Sequence, residues 1–262
     1  MDSLAILLFL AVLPVILILL FIYNKDKDKE PIKLLILLFT SGIASCFLVI
    51  SVSSFLKPFL PFMNMSLEKM DFINTLLYAF IGVALIEETC KWIMLYFFGY
   101  NSKDFDELYD IIVYAVFVSL GFACFENLLY VMENSSIMVA VMRAISAVPG
   151  HACDAIFMGY YLSIAKQFHY KERYDLEKKN IILSIVIPTI LHGIYDFCLM
   201  SGLIILILAF IVFVIFLYII SIGKIKEMSI ANKKIKFKNK YCGICGTKVT
   251  GPFCSNCGAR QE

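Results

Sequence analysis

Residues 202–222 read GLIILILAFIVFVIFLYIISI, an apolar run without a single charged side chain. A helix that crosses the hydrocarbon core of a bilayer needs about 20 such residues. The rest of the chain shares this character, since 61% of its 262 residues are hydrophobic and 17% are charged. Soluble domains carry about 25% charged residues, and disordered chains carry few apolar ones. The composition therefore excludes both a water-soluble globular domain and a disordered chain.

Similar apolar runs precede this one and predict an all-α polytopic membrane protein with about seven transmembrane helices. The predicted spans cover residues 3–23, 32–55, 72–98, 110–132, 137–165, 180–199 and 202–222. A tight hairpin at Met200-Ser201-Gly202 is expected between the last two. The first span lacks the basic region and the small-residue cleavage site of a signal peptide, so we expect it to be retained.

The positively charged residues predict the orientation of the chain. Lysine and arginine concentrate in the loops 24–33, 99–109 and 166–179 and in the segment 223–240, which share one side if there are seven spans. Because basic loops stay in the cytosol, we expect a multi-pass protein of the cell membrane. Its N-terminus would lie outside the cell and its C-terminus in the cytosol.

Four consecutive spans carry ionisable or polar residues, and each charge near a helix centre costs about 2.5–3.5 kcal/mol if it faces lipid. At 1.5 Å per residue, the glutamates and histidines of this set lie within about 10 Å of the midplane. We therefore expect them to face one another around a water-filled cavity. The set comprises Glu87, Glu88 and Lys91 in the third span, Glu126 and Asn127 in the fourth, Arg143, His151 and Asp154 in the fifth, and His192 and Asp196 in the sixth.

The spacing within these helices favours acid–base chemistry. Lys91 lies three and four residues after Glu88 and Glu87, so it can hold one carboxylate ionised. Two adjacent carboxylates rarely ionise together in a low dielectric, and a protonated carboxyl beside an ionised one suits acid–base work on water. Asp196 follows His192 by four residues and could orient its imidazole.

Other interpretations of these charges stay open. Any one of them could be an ion pair that only fixes helix packing, and for Arg143 and Asp110, nearer the span ends, pairing or snorkelling is favoured. A metal held by a glutamate and two histidines is chemically possible, although a metal-free carboxylate mechanism is preferred and no cofactor is expected there. A proton or ion pathway is less favoured, because the chain shows no two related halves.

Four short motifs occur in the order and at the membrane depth that are typical of one family. They are Glu87-Glu88-Thr89-Cys90-Lys91, Phe122-Ala123-Cys124-Phe125-Glu126-Asn127, Pro149-Gly150-His151 and His192-Gly193-Ile194-Tyr195-Asp196. Over about residues 70–200 the chain resembles the PrsW family of membrane proteases. One departure is Ile111, where the family often has glycine after Asp110.

The resemblance implies kinship with the CAAX prenyl endopeptidases and, more distantly, with the non-catalytic Aph scaffold of gamma-secretase. It implies a glutamate-type peptidase in which Glu87 or Glu88 activates water and Glu126 lies nearby. His151 and His192, with Asn127, would stabilise the oxyanion, and Lys91, Asp196 and Arg143 would support the site. The implied substrate is a single-span membrane protein such as an anti-sigma factor. The rival function is a non-catalytic membrane scaffold or sensor.

The C-terminal tail carries four cysteines in two Cys-x-x-Cys pairs, at Cys242, Cys245, Cys254 and Cys257. Four thiolates suit tetrahedral zinc, and a reducing cytosol argues against disulfides. We therefore expect a membrane domain over 1–223, a basic linker over 224–240 and a structural zinc ribbon over 241–262. The ribbon could bind a cytosolic partner, and no nucleic acid is expected as a ligand.

Overall fold

The computed structural model describes residues 2–231, 240–241, 244–245, 247–249 and 256–257. The described chain is dominated by helices, which confirms the all-α polytopic class. They are α1 (Asp2–Lys25), α2 (Ile32–Leu56), α3 (Phe72–Leu77), α4 (Ile86–Leu95), α5 (Asp110–Asn134), α6 (Ile137–Ile145), α7 (Ala147–Tyr170), α8 (Tyr174–Met200) and α9 (Ile204–Ala231). Two short 3₁₀ helices, Pro61–Asn64 and Leu67–Lys69, follow α2.

Within the part of the chain that the structure describes, six stretches are long and apolar enough to cross a membrane: Ala5–Lys25, Ile32–Leu56, Phe72–Tyr100, Asp110–Asn134, Tyr174–Met200 and Ile204–Ala231. The fifth predicted span, 137–165, is not one helix, because the chain breaks at Ser146 (φ −124°, ψ −59°) into α6 and α7. Pro149 then stands in the first turn of α7, where a missing N–H costs little. Helix α7 is long enough to span a membrane, but it is more polar than the six stretches above. It packs between α5 and α8.

Helices α2 and α5 approach each other closely enough for their backbones to touch. A Cβ added at Gly42 would lie 1.9 Å from the Val118 carbonyl oxygen, and one added at Gly121 would lie 2.0 Å from that of Phe39. Only glycine fits such a crossing, which is typical of helix pairs in membranes. The crossing fixes α5, the helix that carries Glu126.

The third span is one continuous helix from Phe72 to Tyr100 with irregular winding. A π-helical segment, Tyr78–Leu85, separates α3 from α4, and a second one, Tyr96–Tyr100, ends the span. Such wide turns often occur beside functional sites. Glu87 and Glu88 lie in the first turn of α4, directly after this π-helical segment.

The C-terminal part differs in detail from the predicted division. Helix α9 continues through Ala231, so the first residues of the predicted linker extend the last span. Beyond it, the strands β1 (Lys240–Tyr241) and β2 (Lys248–Val249) pair antiparallel. Cys242 and Cys254 lie outside the described residues, so the predicted zinc site stays a prediction, as does the orientation in the membrane. Gly202, in the predicted hairpin, has φ +65°.

Candidate active site

A cavity of about 290 Å³ lies among α4, α5, α6, α7 and α8. Most of the polar residues that the sequence places at mid-membrane depth line it. They are Glu87, Glu126, Arg143, His151, Asp154, His192 and Asp196. Their catalytic roles remain predictions, but the geometry brings residues from five helices to one place.

Lys91 lies beneath the cavity and links two of its walls. Its Nζ donates to Glu88 Oε1 at 2.6 Å and contacts His151 Nδ1 at 3.2 Å. Because an ammonium group can only donate, His151 Nδ1 is the acceptor and the ring hydrogen lies on Nε2. His151 Nε2 faces Glu126 Oε2 at 3.1 Å. The neutral imidazole thus bridges Lys91 and Glu126.

Glu126 anchors a second ion pair, with Arg143. Arg143 Nη2 lies 2.7 Å from Glu126 Oε2, while Arg143 Nε donates to Asn127 Oδ1 at 2.7 Å. Pairing is therefore the role observed for Arg143. Asn127 is fully buried and donates to the Ala11 carbonyl at 2.9 Å. It ties α5 to α1 and orients Arg143, and it is not a lining residue of the cavity.

His192 lies among three carboxylates. Its Nδ1 is 2.8 Å from Glu88 Oε1, which requires the hydrogen on Nδ1. Its Nε2 lies 3.5 Å from Asp196 Oδ2 and 4.0 Å from Glu87 Oε2. The expected pairing of His192 with Asp196 is present, and Nε2 is the ring nitrogen that lies nearer to Glu87.

The two adjacent glutamates of α4 occupy different environments. Glu88 is fully buried, and its Oε1 contacts both Lys91 and His192. Glu87 lines the cavity, and its Oε2 has no hydrogen-bond partner, the nearest cation being Lys91 Nζ at 3.7 Å. Glu87 is thus the glutamate that can reach a water molecule or a substrate.

A second cavity, of about 350 Å³, opens beside the first. It lies between α2 and the π-helical segment and is lined by Ser53, Ser54 and Lys57, among others. Tyr78, Val83 and Glu87 line both cavities. Glu87 therefore stands at the junction of the two.

The donor set of the main cavity also fits a divalent metal. Glu88, His151, Asp154 and His192 each offer a ligand atom, and these atoms lie within 4.8 Å of one another. Buried carboxylate oxygens without partners remain at Glu88 Oε2 and Asp154 Oδ1. Carboxylates and imidazoles are ordinary zinc ligands, although the Lys91 ammonium beside two of them opposes a further positive charge.

Sequence reasoning missed several aromatic and hydroxyl groups of the site. Tyr78, Tyr130 and Tyr195 line the cavity, and Tyr195 donates to Ser146 Oγ at 2.9 Å, at the break between α6 and α7. Tyr130 follows Glu126 by four residues, so helical spacing could have indicated it. Tyr78 and Ser146 carry no such signal.

Comparison with known proteins adds an independent finding. Residues 30–220 match a family model described as PrsW family intramembrane metalloprotease. The chain is 42% identical over 149 residues to Protease PrsW of Oceanobacillus iheyensis, covering 57% of this chain and 66% of that protein. It is 32% identical over 213 residues to Protease PrsW of Clostridioides difficile, covering 80% and 85%. With the Bacillus subtilis protein the identity is 40% over 140 residues, covering 52% and 61%.

The match thus spans about two thirds or less of the length of several of these relatives. No solved structure matches the chain.

Proposed function

Because the chain belongs to the PrsW family of intramembrane proteases, we propose that it is an endopeptidase that cleaves a membrane-anchored protein within the bilayer. The observation that carries the proposal is the placement of Glu87. Its carboxylate faces a cavity, is buried, and has an oxygen without a hydrogen-bond partner. Such a carboxylate is suited to take a proton from water.

The proposed reaction begins with a water molecule beside Glu87. The carboxylate accepts one proton, and the water oxygen bonds to the carbonyl carbon of the scissile peptide. The protonated Glu87 then gives its proton to the nitrogen of the scissile peptide as the C–N bond breaks. The nitrogen departs as an amine. Glu88 is a positioning residue in this scheme, because its Oε1 holds both Lys91 and His192 in place.

The developing oxyanion needs donors that face the cavity. His192 lies among three carboxylates, which favour an imidazolium with hydrogens on both ring nitrogens, so its Nε2, near Glu87, can donate. The guanidinium of Arg143 has five N–H groups, of which Glu126 and Asn127 take two. We assign oxyanion stabilisation to His192 and Arg143. Asn127 and His151, whose polar atoms contact other side chains, hold Arg143 and Lys91 in position.

The second cavity supports a lateral path for the substrate. A membrane-anchored substrate must reach Glu87 from the lipid, and the opening between α2 and the π-helical segment leads to that residue. The substrate class in this proposal is a single-span membrane protein. The anti-sigma factor type follows from the family resemblance.

A metal-dependent mechanism is the second candidate, favoured by the donor set of Glu88, His151, Asp154 and His192 and by the family description. Among the described residues, five carboxylates lie in or beside the cavity, against the cations Lys91 and Arg143, which leaves negative charge for a divalent ion to balance. The carboxylates are Glu87, Glu88, Glu126, Asp154 and Asp196. When bound, such an ion supplies Lewis-acid activation of water. In that case Glu87 would stay the proton acceptor, and Glu88, His151, Asp154 and His192 would hold the ion.

The test is cleavage of a panel of single-span membrane proteins by the purified chain in lipid nanodiscs. Glu87→Gln should lower the rate by about 10²–10⁴-fold, while Glu68→Gln, at an exposed glutamate, should match the wild type. Undiminished cleavage by Glu87→Gln would reject the mechanism. Failure to cleave any substrate, together with loss of a partner protein from cells that lack the chain, would favour the scaffold function.

A chelator separates the two mechanisms. It is applied to a chain without residues 242–257, so that metal lost from the tail does not count. Unchanged cleavage supports the metal-free scheme. Loss of cleavage that Zn²⁺ restores supports the metal-dependent one.

A further inference from the structure

Four carboxylates lie buried together near the start of α5, at the other end of that helix from Glu126. Asp26 and Glu30 come from the loop between α1 and α2, Glu107 from the segment before α5, and Asp110 is its first residue. We name them the acidic cage. The four residues are only 3%, 6%, 7% and 0% exposed, respectively.

Several oxygen atoms of the acidic cage lack a partner. By hydrogen-bond geometry, both carboxylate oxygens of Asp26, and Oδ1 of Asp110, are buried without a partner, although the backbone N–H groups of Lys27 and Asp28 lie near the Asp26 carboxylate. Asp110 Oδ2 accepts the backbone N–H groups of Asp106 and Glu107 at 3.0 and 2.6 Å. These two bonds fix the Asp110 carboxylate, whose Oδ1 has no partner by hydrogen-bond geometry and whose nearest carboxyl neighbour is Glu30. Buried unpaired carboxylate oxygens are costly and call for a missing partner.

The neighbouring Lys29 acts on the Asp26 carboxylate electrostatically but forms no ion pair with it. Lys29 Nζ donates to the main-chain carbonyls of Asp26, at 2.7 Å, and Tyr23. Within the described part of the chain, no salt bridge reaches Asp26, Glu30 or Asp110. The Tyr114 hydroxyl donates to Glu30 Oε2, but it brings no charge.

We propose that the acidic cage binds a hard divalent cation of the Mg²⁺ or Ca²⁺ class. Asp26, Glu107 and Asp110 each offer one oxygen, and these atoms lie within 4.8 Å of one another. Two ligands of one ion lie at most about 5 Å apart when each is 2.0–2.6 Å from it. All the donors are oxygens, which suits Mg²⁺ and Ca²⁺ better than softer metals.

The cation would hold the α1–α2 loop against the start of α5. Asp26 and Glu30 belong to the loop, and Asp110 belongs to the helix that also carries Glu126. None of the four residues lines the candidate catalytic cavity. The acidic cage is therefore a separate site, and its occupancy can be tested independently of proteolysis.

The experiment uses the full chain in detergent, freed of metal with a chelator, and follows thermal unfolding as MgCl₂ or CaCl₂ is added. Binding to the native state alone should raise Tm by on the order of 5–10 °C when the cation reaches 100 times its Kd. Mn²⁺ serves as a spectroscopic probe, and its electron paramagnetic resonance signal should report one bound ion that Mg²⁺ or Ca²⁺ displaces. No rise in Tm and no bound Mn²⁺ would overturn the proposal.

Variants locate the ion. Asp26→Asn and Asp110→Asn should abolish the cation-dependent rise in Tm, whereas Asp28→Asn, an exposed aspartate of the same loop, should keep it. Glu87→Gln should also keep it, since that residue belongs to the other cavity. Asp26→Asn removes buried negative charge, so it should fold at least as stably as the wild type in the chelator. A rise that persists in Asp26→Asn and Asp110→Asn but disappears in Glu87→Gln would move the ion to the catalytic cavity.

Discussion

The Lys91 ammonium donates to Glu88 Oε1 at 2.6 Å, and the two side chains are 1% and 0% exposed. The pair lies within one turn of α4, beneath the candidate catalytic cavity. Lys91 also packs its Nζ over the Phe122 ring, 4.4 Å from the centroid. It therefore joins α4 to α5 as well as to His151 of α7.

Replacing Lys91 with methionine should destabilise the fold strongly. The change leaves Glu88 as a buried carboxylate without its cation, and breaking a buried ion pair in this way costs about 3–5 kcal/mol. The free energy of unfolding, measured by denaturant titration in mixed micelles, checks this. In the double variant Glu88→Gln/Lys91→Met much of the loss should be recovered, because no unpaired charge remains. Equal losses in the single and the double variant would contradict the ion-pair account.

The glycine crossing of α2 and α5 gives a second prediction. Gly121→Ala would place a Cβ 2.0 Å from the Phe39 carbonyl oxygen, so the helices must separate. Overpacking of this kind costs about 1–3 kcal/mol. Gly223→Ala is the matched control, since nothing lies within 4 Å of its added Cβ. Unfolding free energies of the two variants give the comparison, and equal values would mean that the crossing adapts without cost.

The sequence predicts the helices and the mid-membrane polar set, because apolar runs and charges inside them are local signals. The sequence does not predict the break at Ser146, because the apolar run continues from α6 into α7. The break is visible only in the backbone angles of Ser146. The π-helical segment before Glu87 was likewise not predicted, because its residues have ordinary apolar character. The family motif implied an oxyanion role for Asn127, but its bonds to Ala11 and Arg143 depend on a helix far away in the sequence.

The acidic cage illustrates a second limit. Asp26 and Glu30 stand among lysines in a predicted cytosolic loop, where carboxylates are normally solvated. Their burial depends on how that loop folds over the start of α5, which brings Glu107 and Asp110 beside them. A sequence pattern without three-dimensional contacts cannot indicate this. Of the four residues of the acidic cage, only Asp110 lies in a predicted span and is therefore indicated by the sequence.

The loop carboxylates predict a pH dependence of stability in the absence of divalent cations. Burial raises the pKa of Asp26 from 3.8 to about 6, against the opposing charge of Lys29, and burial raises the pKa of Glu30 from 4.5 to about 7. The native state then binds more protons than the unfolded state, so stability is greatest below about pH 4 and falls as pH rises towards 7. Because Glu30 titrates in a neighbouring pH range, the contribution of Asp26 is isolated by comparing the wild type with Asp26→Asn.

Asp26→Asn should flatten this profile between about pH 4 and 6, because it removes one of the two groups. Thermal unfolding in a chelator, at several pH values, measures the difference between wild type and variant. Asp28→Asn serves as the control and should leave the profile unchanged. Parallel profiles for wild type and Asp26→Asn would show that the Asp26 carboxyl titrates as it does in the unfolded chain.

The zinc content of the chain tests both the tail and the mechanism. Four thiolates at Cys242, Cys245, Cys254 and Cys257 predict one zinc ion per chain, and the metal-free glutamate scheme adds none. Elemental analysis of protein exchanged into metal-free buffer should therefore find one zinc in the wild type and none in a chain that lacks residues 242–257. A metal-dependent active site would raise both numbers by one, because its ligands lie in α4, α7 and α8. Cleavage should persist in the shortened chain under either mechanism, since none of the described residues of the tail lines the cavity. Its loss would mean that the tail assists the reaction.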